Sequence, residues 1–418
     1  MYLLKDSPAL FTDLYELTMA QVYFDRQMHE RGYFEAFIRR MPRDWGYFVM
    51  CGLAEVEAAL ENFSYGDQDI EYLRGTGKFS EDFLEYLKNL ELEVEVRAMP
   101  EGTVFFNDEP CFELSGPIIH AQILESFMLN ILGFSIITAS LASRIRKACG
   151  NVAVMDFGLR RAQGPLTATR AARAAKVAGF IATSNVYAGR LLDFGVSGTM
   201  AHSFVEAFDN EQAAFEAFAQ VYGEATVLLV DTYDVKEGIK KAGEFARCFY
   251  EKTGTKVKGI RIDSGNLGQL SRFARQHYDD SGAEWLKILV SGGLDEYKIA
   301  KLLEDGAPVD GFGIGTNFTV SHHVPDVDIS YKLVRYDGKD VYKKSPEKRT
   351  YPGRKTVRRR SESGRFAGDT VEPLRGGDDL LVEFSGAEEL ETISARMCSD
   401  LGRLDESVKK IREPAEYK

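Results

Sequence analysis

Seven short apolar runs between residues 152 and 316 each end in a residue that could take part in chemistry. These end residues supply carboxylates, hydroxyls, an imidazole and an unhindered backbone: Asp156, Ser184, His202, Asp231, Asp263, Ser291 and Gly313. If the runs are parallel strands, their carboxyl ends surround one site. The alternative is that serine, aspartate and glycine merely end strands and cap helices. That alternative accounts poorly for His202 and for Arg261.

The stretch IRIDSGN, residues 260–266, places a cation and a carboxylate two positions apart. Because side chains alternate along a strand, Arg261 and Asp263 point to the same face. The arginine could hold an anionic group of a substrate, and the aspartate could hold a sugar diol. An internal ion pair is the competing interpretation. The stretch MDFGLRRAQG similarly offers Phe157 as an aromatic surface, with Arg160 and Arg161 for anions.

Two glycine-rich turns follow the last two apolar runs. KILVSGG contains Gly292 and Gly293, and VDGFGIGT contains Gly315. A glycine turn that opens onto a helix N-terminus leaves backbone N–H groups accessible to a phosphate, and barrels often bind phosphate after their last two strands. A dinucleotide-binding glycine motif would instead follow the first strand, and the nucleotide-binding pattern G-x-x-x-x-G-K-[ST] is absent from the sequence.

Residues 332–360 carry twelve Lys and Arg against three acids. A solvated basic loop and an anion clamp are both consistent with this composition.

The spacing of apolar residues predicts the elements that position these groups. Short strands and turns dominate from Phe34 to Gly116. Helical spacing follows from Pro117 to Gly150 in two runs, which end at Gly133 and Gly150, each at the place of a helix C-cap. Strands then alternate with helices to about Thr316. Polar endings on nearly every strand favour a barrel over an open doubly wound sheet. We therefore expect an α/β protein built as an irregular TIM-like barrel, with an N-terminal α+β domain at 1–116, a barrel domain at 117–324 and a C-terminal extension of basic loop and helical tail at 325–418.

Composition excludes several classes of protein. The chain has 418 residues, 44% of them hydrophobic, and a net charge of −12, which disfavours nucleic acid as the main partner. We find no signal-peptide pattern and no uninterrupted apolar run of membrane-spanning length. The five cysteines are widely spaced and never in a C-x-x-C pair, which disfavours disulfides and zinc. We expect a cytoplasmic protein with no membrane partner.

Six motifs in order resemble the nicotinate phosphoribosyltransferase family, which has the type II phosphoribosyltransferase fold. They are TDLYELTMAQVYF, DFGLRRAQG, ATSNVYAG, SGTMAHSF, IRIDSGN and FGIGTNF. The likeness extends from about Thr12 to Arg358. It implies formation of nicotinate mononucleotide and pyrophosphate from nicotinic acid and phosphoribosyl pyrophosphate, for NAD synthesis.

The resemblance also implies roles for individual residues. Phe157 would face the pyridine ring, and Tyr15 would cover the opposite face from a neighbouring subunit, so that a homodimer or higher homo-oligomer shares the site. Arg261 would bind the nicotinate carboxylate and Asp263 the ribose hydroxyls, with Asp231 among the substrate-binding residues. Ser291, Gly292, Gly293, Gly315 and Thr316 would bind the 5-phosphate. Pyrophosphate would meet Arg160, Lys343, Lys344, Lys348, Arg354 and Lys355.

The family likeness gives His202 a chemical role as a phosphorylated histidine through which ATP hydrolysis drives the reaction. An imidazole nitrogen is a competent phosphoryl acceptor. The family normally uses Mg²⁺, but the sequence does not single out metal ligands, and pyrophosphate oxygens and water could supply most of them. Some relatives have a cysteine-rich knuckle near the C-terminus. This chain has only Cys398 after Cys248, so we expect no structural zinc.

Substrate choice is predicted from Ser184. The related nicotinamide enzymes carry an aspartate at this place, and a carboxylate would accept from an amide but repel a carboxylate; a serine can donate to an anion. The competing functions are nicotinamide or quinolinate phosphoribosyl transfer on the same fold. A protein of a different class, binding phosphosugars or nucleic acid without catalysis, is the other alternative.

Overall fold

The computed structural model describes residues 8–344 and 350–417. The chain divides into two compact units. One consists of Met1–Ser140 together with Val324–Lys418, and the other is the continuous segment Leu141–His323. We call them the discontinuous unit and the continuous unit.

The described helices follow one another along the chain in this order: α1 Leu14–Asp25, α2 Leu53–Glu61, α3 Asp67–Gly75, α4 Glu81–Lys88, α5 Ile118–Gln122, α6 Glu125–Ala148, α7 Pro165–Val177, α8 Val186–Leu191, α9 His202–Glu206, α10 Glu211–Tyr222, α11 Val235–Thr253, α12 Leu267–Ser281, α13 Glu296–Glu304, α14 Thr316–Thr319 and α15 Leu390–Arg403. Short 3-10 helices span Pro8–Leu10, Leu159–Arg161 and Gly223–Ala225.

The described strands are β1 Arg31–Ile38, β2 Phe48–Val49, β3 Glu95–Ala98, β4 Val104–Phe105, β5 Pro110–Pro117, β6 Ala153–Asp156, β7 Ala182–Thr183, β8 Val227–Leu229, β9 Gly259–Ile262, β10 Lys287–Val290, β11 Gly311–Ile314, β12 Ile329–Tyr336, β13 Lys339–Asp340, β14 Lys355–Glu362, β15 Arg365–Pro373 and β16 Val382–Glu383.

The continuous unit is built on a parallel six-stranded sheet with the order β7-β6-β11-β10-β9-β8. Six of the seven predicted runs are therefore strands. The run that leads to His202 is not a strand, because it makes only one isolated parallel bridge, between Thr183 and Val196. With that bridge included, the runs follow one another in cyclic order, as in a barrel. No backbone pairing between Val196 and β8 closes the ring among the described residues.

Four helices of the continuous unit begin at polar caps that come after the strand-end residues. Asn185, Asp234, Asn266 and Asp295 each accept a hydrogen bond from a backbone N–H in the first turn of α8, α11, α12 and α13. These caps lie one to four positions beyond the groups that the sequence analysis singled out: Ser184, Asp231, Asp263 and Ser291. These helices are therefore capped by residues other than the strand-end groups, and the strand-end groups remain available to bind a ligand.

The discontinuous unit contains a six-stranded sheet with the order β13-β12-β1-β5-β3-β16, in which the pairings are antiparallel. Strand β12 from the C-terminal segment pairs with β1 along Gly32–Ile38. The segment that the sequence pattern set apart as an extension thus continues the sheet of the N-terminal strands. Much of the predicted basic loop is also strand, because the last five residues of β12, all of β13 and the first six residues of β14 fall within residues 332–360.

The C-terminal tail is fixed to the same unit by an aromatic contact and a buried polar cluster. The Tyr417 ring stacks on Phe106 with ring centroids 3.7 Å apart, and its hydroxyl donates to Asp369 over 3.1 Å. Asp369 also accepts from Arg359 and neighbours the buried carboxyl of Glu109. Burial, with the nearby Asp369 carboxylate, raises the pKa of Glu109 to about 8.

Helix α6 is the one helix of the described residues that is long and apolar enough to cross a membrane when judged by length and composition. Its most apolar window is 78% buried inside the protein, as is common for a core helix. The pattern predicted a helix end at Gly133, whereas α6 continues through it.

Candidate active site

A cavity of about 290 Å³ lies beside the carboxyl ends of the strands in the continuous unit. Its lining includes four residues that the sequence analysis selected, namely Phe157, Arg160, Ser184 and Arg261, together with Leu159 and residues 198–201. This volume is close to the lower end of the range of roughly 300–1,000 Å³ that is usual for small-molecule sites. An aromatic ring, two guanidinium groups and a hydroxyl therefore surround a space suited to a small anionic ring.

Phe157 is held at this cavity by its neighbours. Its backbone N–H donates to Ile314 O over 2.7 Å, and its side chain packs against a cluster of apolar residues from β6, β7, β8 and β10: Met155, Ala182, Val227 and Leu289. The ring lies directly over Gly313, where a β-carbon would be 2.4 Å from Cδ2 of the ring. Glycine at position 313 is what allows the ring to occupy this place.

Asp156 organises the two strand ends on which Phe157 and Ser184 are placed. Its carboxylate accepts from Thr183 Oγ1 at 2.7 Å and from the Gly158 N–H at 2.8 Å, and its carbonyl accepts from the Ser184 N–H at 2.7 Å. Burial raises the pKa of Asp156, an effect that both hydrogen bonds oppose. Asp156 is thus a positioning residue for the backbone that carries Phe157 and Ser184.

Arg261 is the most extensively bonded side chain at the cavity. Its Nη1 donates to Asp263 Oδ1 at 2.7 Å and to Ser291 Oγ at 3.1 Å. Its Nε donates to Thr199 Oγ1 at 2.9 Å, and its Nη2 donates to Met200 O at 3.3 Å. Burial lowers the pKa of Arg261, and Asp263 and Asp231 oppose that shift. The ion pair that was the competing interpretation for Arg261 and Asp263 is therefore present, and it lies at the cavity.

Asp231 and Asp263 follow adjacent strands, and the side chain of Asp231 contacts the backbone of Asp263. Asp231 Oδ2 accepts from the Asp263 N–H at 3.1 Å and from Ser264 Oγ at 2.6 Å. Asp231 Oδ1 is buried without a hydrogen-bond partner among the described residues. Asp263 Oδ1 accepts from both Arg261 and Ser291. These two carboxylates give the site its negative charge.

His202 lies at the first position of α9 and is partly exposed. Its Nδ1 is 3.2 Å from Oγ1 of Thr232, the residue after Asp231. Met200, two residues before His202, accepts from Arg261. The structure therefore brings His202, Asp231 and Arg261 to one end of the sheet.

The glycine turn after β10 approaches the Asp263 backbone closely. Gly292 has a φ of +95°, and a β-carbon there would be 1.9 Å from Asp263 O. Asn317 Nδ2 donates to Gly293 O at 3.1 Å and to Leu294 O at 3.0 Å, and so connects this turn to the second one at Gly315 and Thr316. The two predicted phosphate-binding turns thus lie side by side.

Several candidates belong to the discontinuous unit. Tyr15 is 46% exposed on α1, and burial of part of its ring raises its pKa. The side chains of Lys343 and Lys344 are exposed. Lys348 lies outside the described residues.

Arg354 and Lys355 differ from these exposed lysines because internal carboxylates hold them. Arg354 donates to Glu113 at 2.6 Å, and Lys355 is buried and donates to Glu35 at 2.5 Å. Composition predicted positive charge here, but it could not reveal acids more than two hundred positions away in the sequence.

Sequence reasoning missed Thr199, Met200 and Thr232, which contact Arg261 or His202. Thr199 and Met200 were inside a quoted motif, SGTMAHSF, so position within that motif was the available signal. Groups of three or more His, Cys, Asp or Glu placed to hold a metal ion are absent from the described residues.

Comparisons with known proteins agree with these observations. Residues 10–133 match the family model of the nicotinate phosphoribosyltransferase (NAPRTase) N-terminal domain, and residues 152–366 match the model of the nicotinate phosphoribosyltransferase (NAPRTase) family. The chain is 47% identical to nicotinate phosphoribosyltransferase pncB2 of Mycobacterium tuberculosis, over 90% of this chain and 81% of that protein. It is 40% identical to nicotinate phosphoribosyltransferase of Bacillus subtilis, over 85% of this chain and 73% of that protein.

A crystal structure of human nicotinic acid phosphoribosyltransferase matches with a TM-score of 0.85 and 27% identity, covering 97% of this chain and 96% of that one. The family match, the identities and the shared fold cover both units. The chain is therefore a transferase and belongs to the nicotinate phosphoribosyltransferase family.

Proposed function

We propose that this enzyme transfers the phosphoribosyl group of phosphoribosyl pyrophosphate to the ring nitrogen of nicotinate, giving nicotinate mononucleotide and pyrophosphate for NAD synthesis. The observation that carries the proposal is the cavity lined together by Phe157, Ser184 and Arg261. An aromatic face, a hydroxyl donor and a guanidinium match the flat ring and the single carboxylate of nicotinate.

Nicotinate would stack on Phe157, with its carboxylate toward Arg261 and Ser184. Tyr15 would cover the other face from a neighbouring subunit in a homodimer or higher homo-oligomer. Tyr15 is exposed within its own chain, as a residue that serves a partner's site must be.

The sugar and phosphates would lie along the neighbouring strand ends. Asp263 Oδ1 is engaged by Arg261 and Ser291, so Oδ2 is the atom that would accept the ribose hydroxyls, with Asp231 beside it. The turns at Ser291, Gly292, Gly293, Gly315 and Thr316 would bind the 5-phosphate. Arg160 and the exposed Lys343 and Lys344 would meet pyrophosphate; Lys348 stays a candidate, while Arg354 and Lys355 serve internal ion pairs first.

In the transfer, the pyridine nitrogen forms a bond to the anomeric carbon as the bond from that carbon to pyrophosphate breaks. Positive charge develops on the sugar and negative charge on the leaving group. Asp231 and Asp263 would stabilise the former, and the cations around pyrophosphate the latter. Catalysis then depends on positioning more than on proton transfer.

A Mg²⁺ ion fits this site, because Asp231 carries a buried carboxylate oxygen without a partner among the described residues. Mg²⁺ commonly takes one or two protein carboxylates and completes its coordination with phosphate oxygens and water. Asp231 is the residue that would hold it, and bound Mg²⁺ would neutralise charge on the departing pyrophosphate.

ATP hydrolysis would be coupled through phosphorylation of His202. Since Nδ1 of His202 contacts Thr232 Oγ1, Nε2 is the nitrogen that would attack the γ-phosphorus. The phosphorus–nitrogen bond forms while the bond to the bridging oxygen breaks, and ADP leaves with that electron pair. Water later hydrolyses the phosphohistidine to release inorganic phosphate.

We further infer that the parallel sheet is an irregular, incompletely closed TIM-like barrel, which its cyclic strand order supports. The proposed substrates are metabolites of the cytoplasm, where we expect the enzyme to act. We propose neither a structural zinc nor a nucleic-acid or membrane partner.

A substrate panel tests the proposed function. Purified enzyme with labelled phosphoribosyl pyrophosphate should form mononucleotide from nicotinate, and far less from nicotinamide or quinolinate. Turnover mainly with nicotinamide or quinolinate would assign the alternative reaction. Binding without turnover would indicate a noncatalytic protein, and a steep loss of binding to random DNA with added salt would identify nucleic acid as its ligand.

A further inference from the structure

Two acids, Asp13 and Glu16, stand on either side of Tyr15 at the start of α1. Their spacing is that of a capping box, in which the N-cap side chain and the acid three positions later close the first turn of their own helix. Asp13 is the N-cap of α1, but its side chain makes no capping bond there. Its Oδ2 instead accepts from Ser126 Oγ at 2.8 Å, and Glu16 Oε1 accepts from the Ser126 N–H at 2.8 Å. Both acids therefore join α1 to the first turn of α6.

Glu16 is fully buried at the junction of the two helices. Its Oε1 binds the Ser126 N–H, one of the donors that a helix leaves unpaired in its first turn, and also contacts Ser126 Oγ. Its Oε2 accepts from Thr12 Oγ1 at 2.5 Å. Burial raises the pKa of Glu16, and the bonds from Ser126 and Thr12 oppose that shift. We expect the junction to require the hydrogen bonds of residue 16 more than its negative charge.

The ring of Tyr15 has open space beside it. Tyr15 is 46% exposed and borders a cavity of about 540 Å³, which Phe11 and Glu125 also line. Successive residues of a helix point about 100° apart, so that Glu16 can lie against α6 while Tyr15 faces outward. Because the ring is not enclosed, its place depends on where the backbone of α1 lies. A shift of α1 against α6 would move the ring with it.

We propose that Glu16 is a positioning residue for the reaction: by fixing α1 against the first turn of α6, it sets the place at which Tyr15 meets the nicotinate ring in a neighbouring subunit. This inference rests on the proposed function, because it assumes that Tyr15 serves the neighbour's site. Glu16 itself would touch no substrate. A buried contact within one subunit would thus control substrate binding in the other.

The test is Glu16→Met, which keeps the length of the side chain and removes its hydrogen bonds. The KM values for nicotinate and for phosphoribosyl pyrophosphate are measured in the steady state. The KM for nicotinate should rise about two- to tenfold, the factor that corresponds to one aromatic contact, and the KM for phosphoribosyl pyrophosphate should stay the same. Glu16→Gln should behave as the parent does, because its amide can accept from the Ser126 N–H and donate to Thr12.

A double-mutant cycle with Tyr15→Ala separates positioning from a general structural role. Tyr15→Ala should raise the KM for nicotinate by itself, since it removes the aromatic face. Adding Glu16→Met to Tyr15→Ala should then cause no further rise, because the residue that Glu16 positions is already absent. Independent effects would instead multiply.

Glu101→Met is the matched control. Glu101 is a buried acid of the same unit, and its Oε1 accepts from the N–H groups of Gly52 and Leu53 at the start of α2, at 2.5 and 3.2 Å. Its replacement should lower the melting temperature and leave the KM for nicotinate unchanged. Should Glu16→Met not fold, Ser126→Ala, which removes only the hydroxyl, takes its place in the cycle.

The positioning role is overturned, while the proposed function stands, by effects that multiply in the double variant, by an unchanged KM for nicotinate in Glu16→Met, or by an equal rise in both KM values. A parent enzyme that does not turn over nicotinate overturns the proposed function, and the positioning role with it. A Tyr15→Ala variant with the KM of the parent overturns the assignment of Tyr15, and again the positioning role with it.

Discussion

The ring of Phe157 lies against Gly313 so closely that any side chain at position 313 would collide with it. A β-carbon there would be 2.4 Å from Cδ2 and 2.5 Å from Cε2 of the ring. The ends of β6 and β11 therefore fit closely against each other. The Phe157 ring can occupy its place in the cavity wall only because residue 313 has no β-carbon.

Gly313→Ala should displace the Phe157 ring and raise the KM for nicotinate at least about tenfold, because a misplaced contact at a binding wall is costly. The added methyl should also lower the free energy of unfolding by about 1–3 kcal/mol. Gly311→Ala is the matched control on the same strand, since its β-carbon would meet Leu289 and Met155 at 3.4 and 3.7 Å, which is ordinary contact. Steady-state kinetics and denaturant unfolding measure both effects. Equal KM values for the two variants would contradict the role of Phe157.

Ser184→Asp should lower kcat/KM for nicotinate about 10- to 100-fold more than kcat/KM for nicotinamide, because a carboxylate at the cavity repels a substrate carboxylate but accepts from an amide. Ser184→Asn introduces a side chain with the shape of aspartate but without its charge. It should shift the ratio of the two kcat/KM values far less. Parallel assays with both substrates give the ratio directly. The same loss for both substrates would refute selection by Ser184.

His202→Ala should abolish retention of label from γ-labelled ATP, since it removes the proposed nitrogen acceptor. The label on the parent should be stable in alkali and lost in acid, as expected for a phosphorus–nitrogen bond. His29→Ala, at an exposed histidine of the discontinuous unit, should keep the label. Retention on the His202 variant would remove the assignment of His202 as the acceptor.

Glu109→Gln should change how stability depends on pH. The raised pKa of Glu109, about 8, means that the folded state keeps a proton that the unfolded state releases above about pH 4.5. The free energy of unfolding of the parent should therefore fall as pH rises from about 4.5 to 8 through this group. A glutamine side chain at position 109 cannot ionise. The free energy of unfolding of the variant, taken relative to that of the parent, should therefore increase by at least about 1 kcal/mol as pH rises over that window. Denaturant unfolding at several pH values measures the difference.

Glu362→Gln, at an exposed acid of β14, serves as the control for that series. It should follow the parent at every pH. A glutamine variant at position 109 that also follows the parent throughout would show that Glu109 is ionised in the folded protein.

Periodicity along the chain predicted the strands of the continuous unit well, because each buried strand is short, apolar and bounded by turn residues. It failed at residues 196–201, where an apolar run leads to a segment held by side chains such as Thr199 and not by a backbone ladder. It also failed at Gly133, where the cost of about 1 kcal/mol for a glycine inside a helix is offset by the burial of the apolar helix α6. Local pattern does not report such tertiary support.

The candidate site was predicted best where residues share a strand end. Arg261 and Asp263 were placed together by alternation, and the structure shows them paired. The family resemblance and the basic composition of residues 332–360 assigned Arg354 and Lys355 to pyrophosphate, and the structure shows them held by Glu113 and Glu35. Those acids lie 241 and 320 positions away, and only the fold brings them near.

Glu35 and Glu113 stand directly opposite each other on β1 and β5, where like charges weaken strand pairing. Their counter-charges, Lys355 and Arg354, are synthesised hundreds of residues later. On the ribosome, where domains generally fold in order of emergence, this chain should break that order. The continuous unit can complete its own sheet first, whereas the N-terminal strands gain their last pairing partners only after the C-terminal segment has been synthesised.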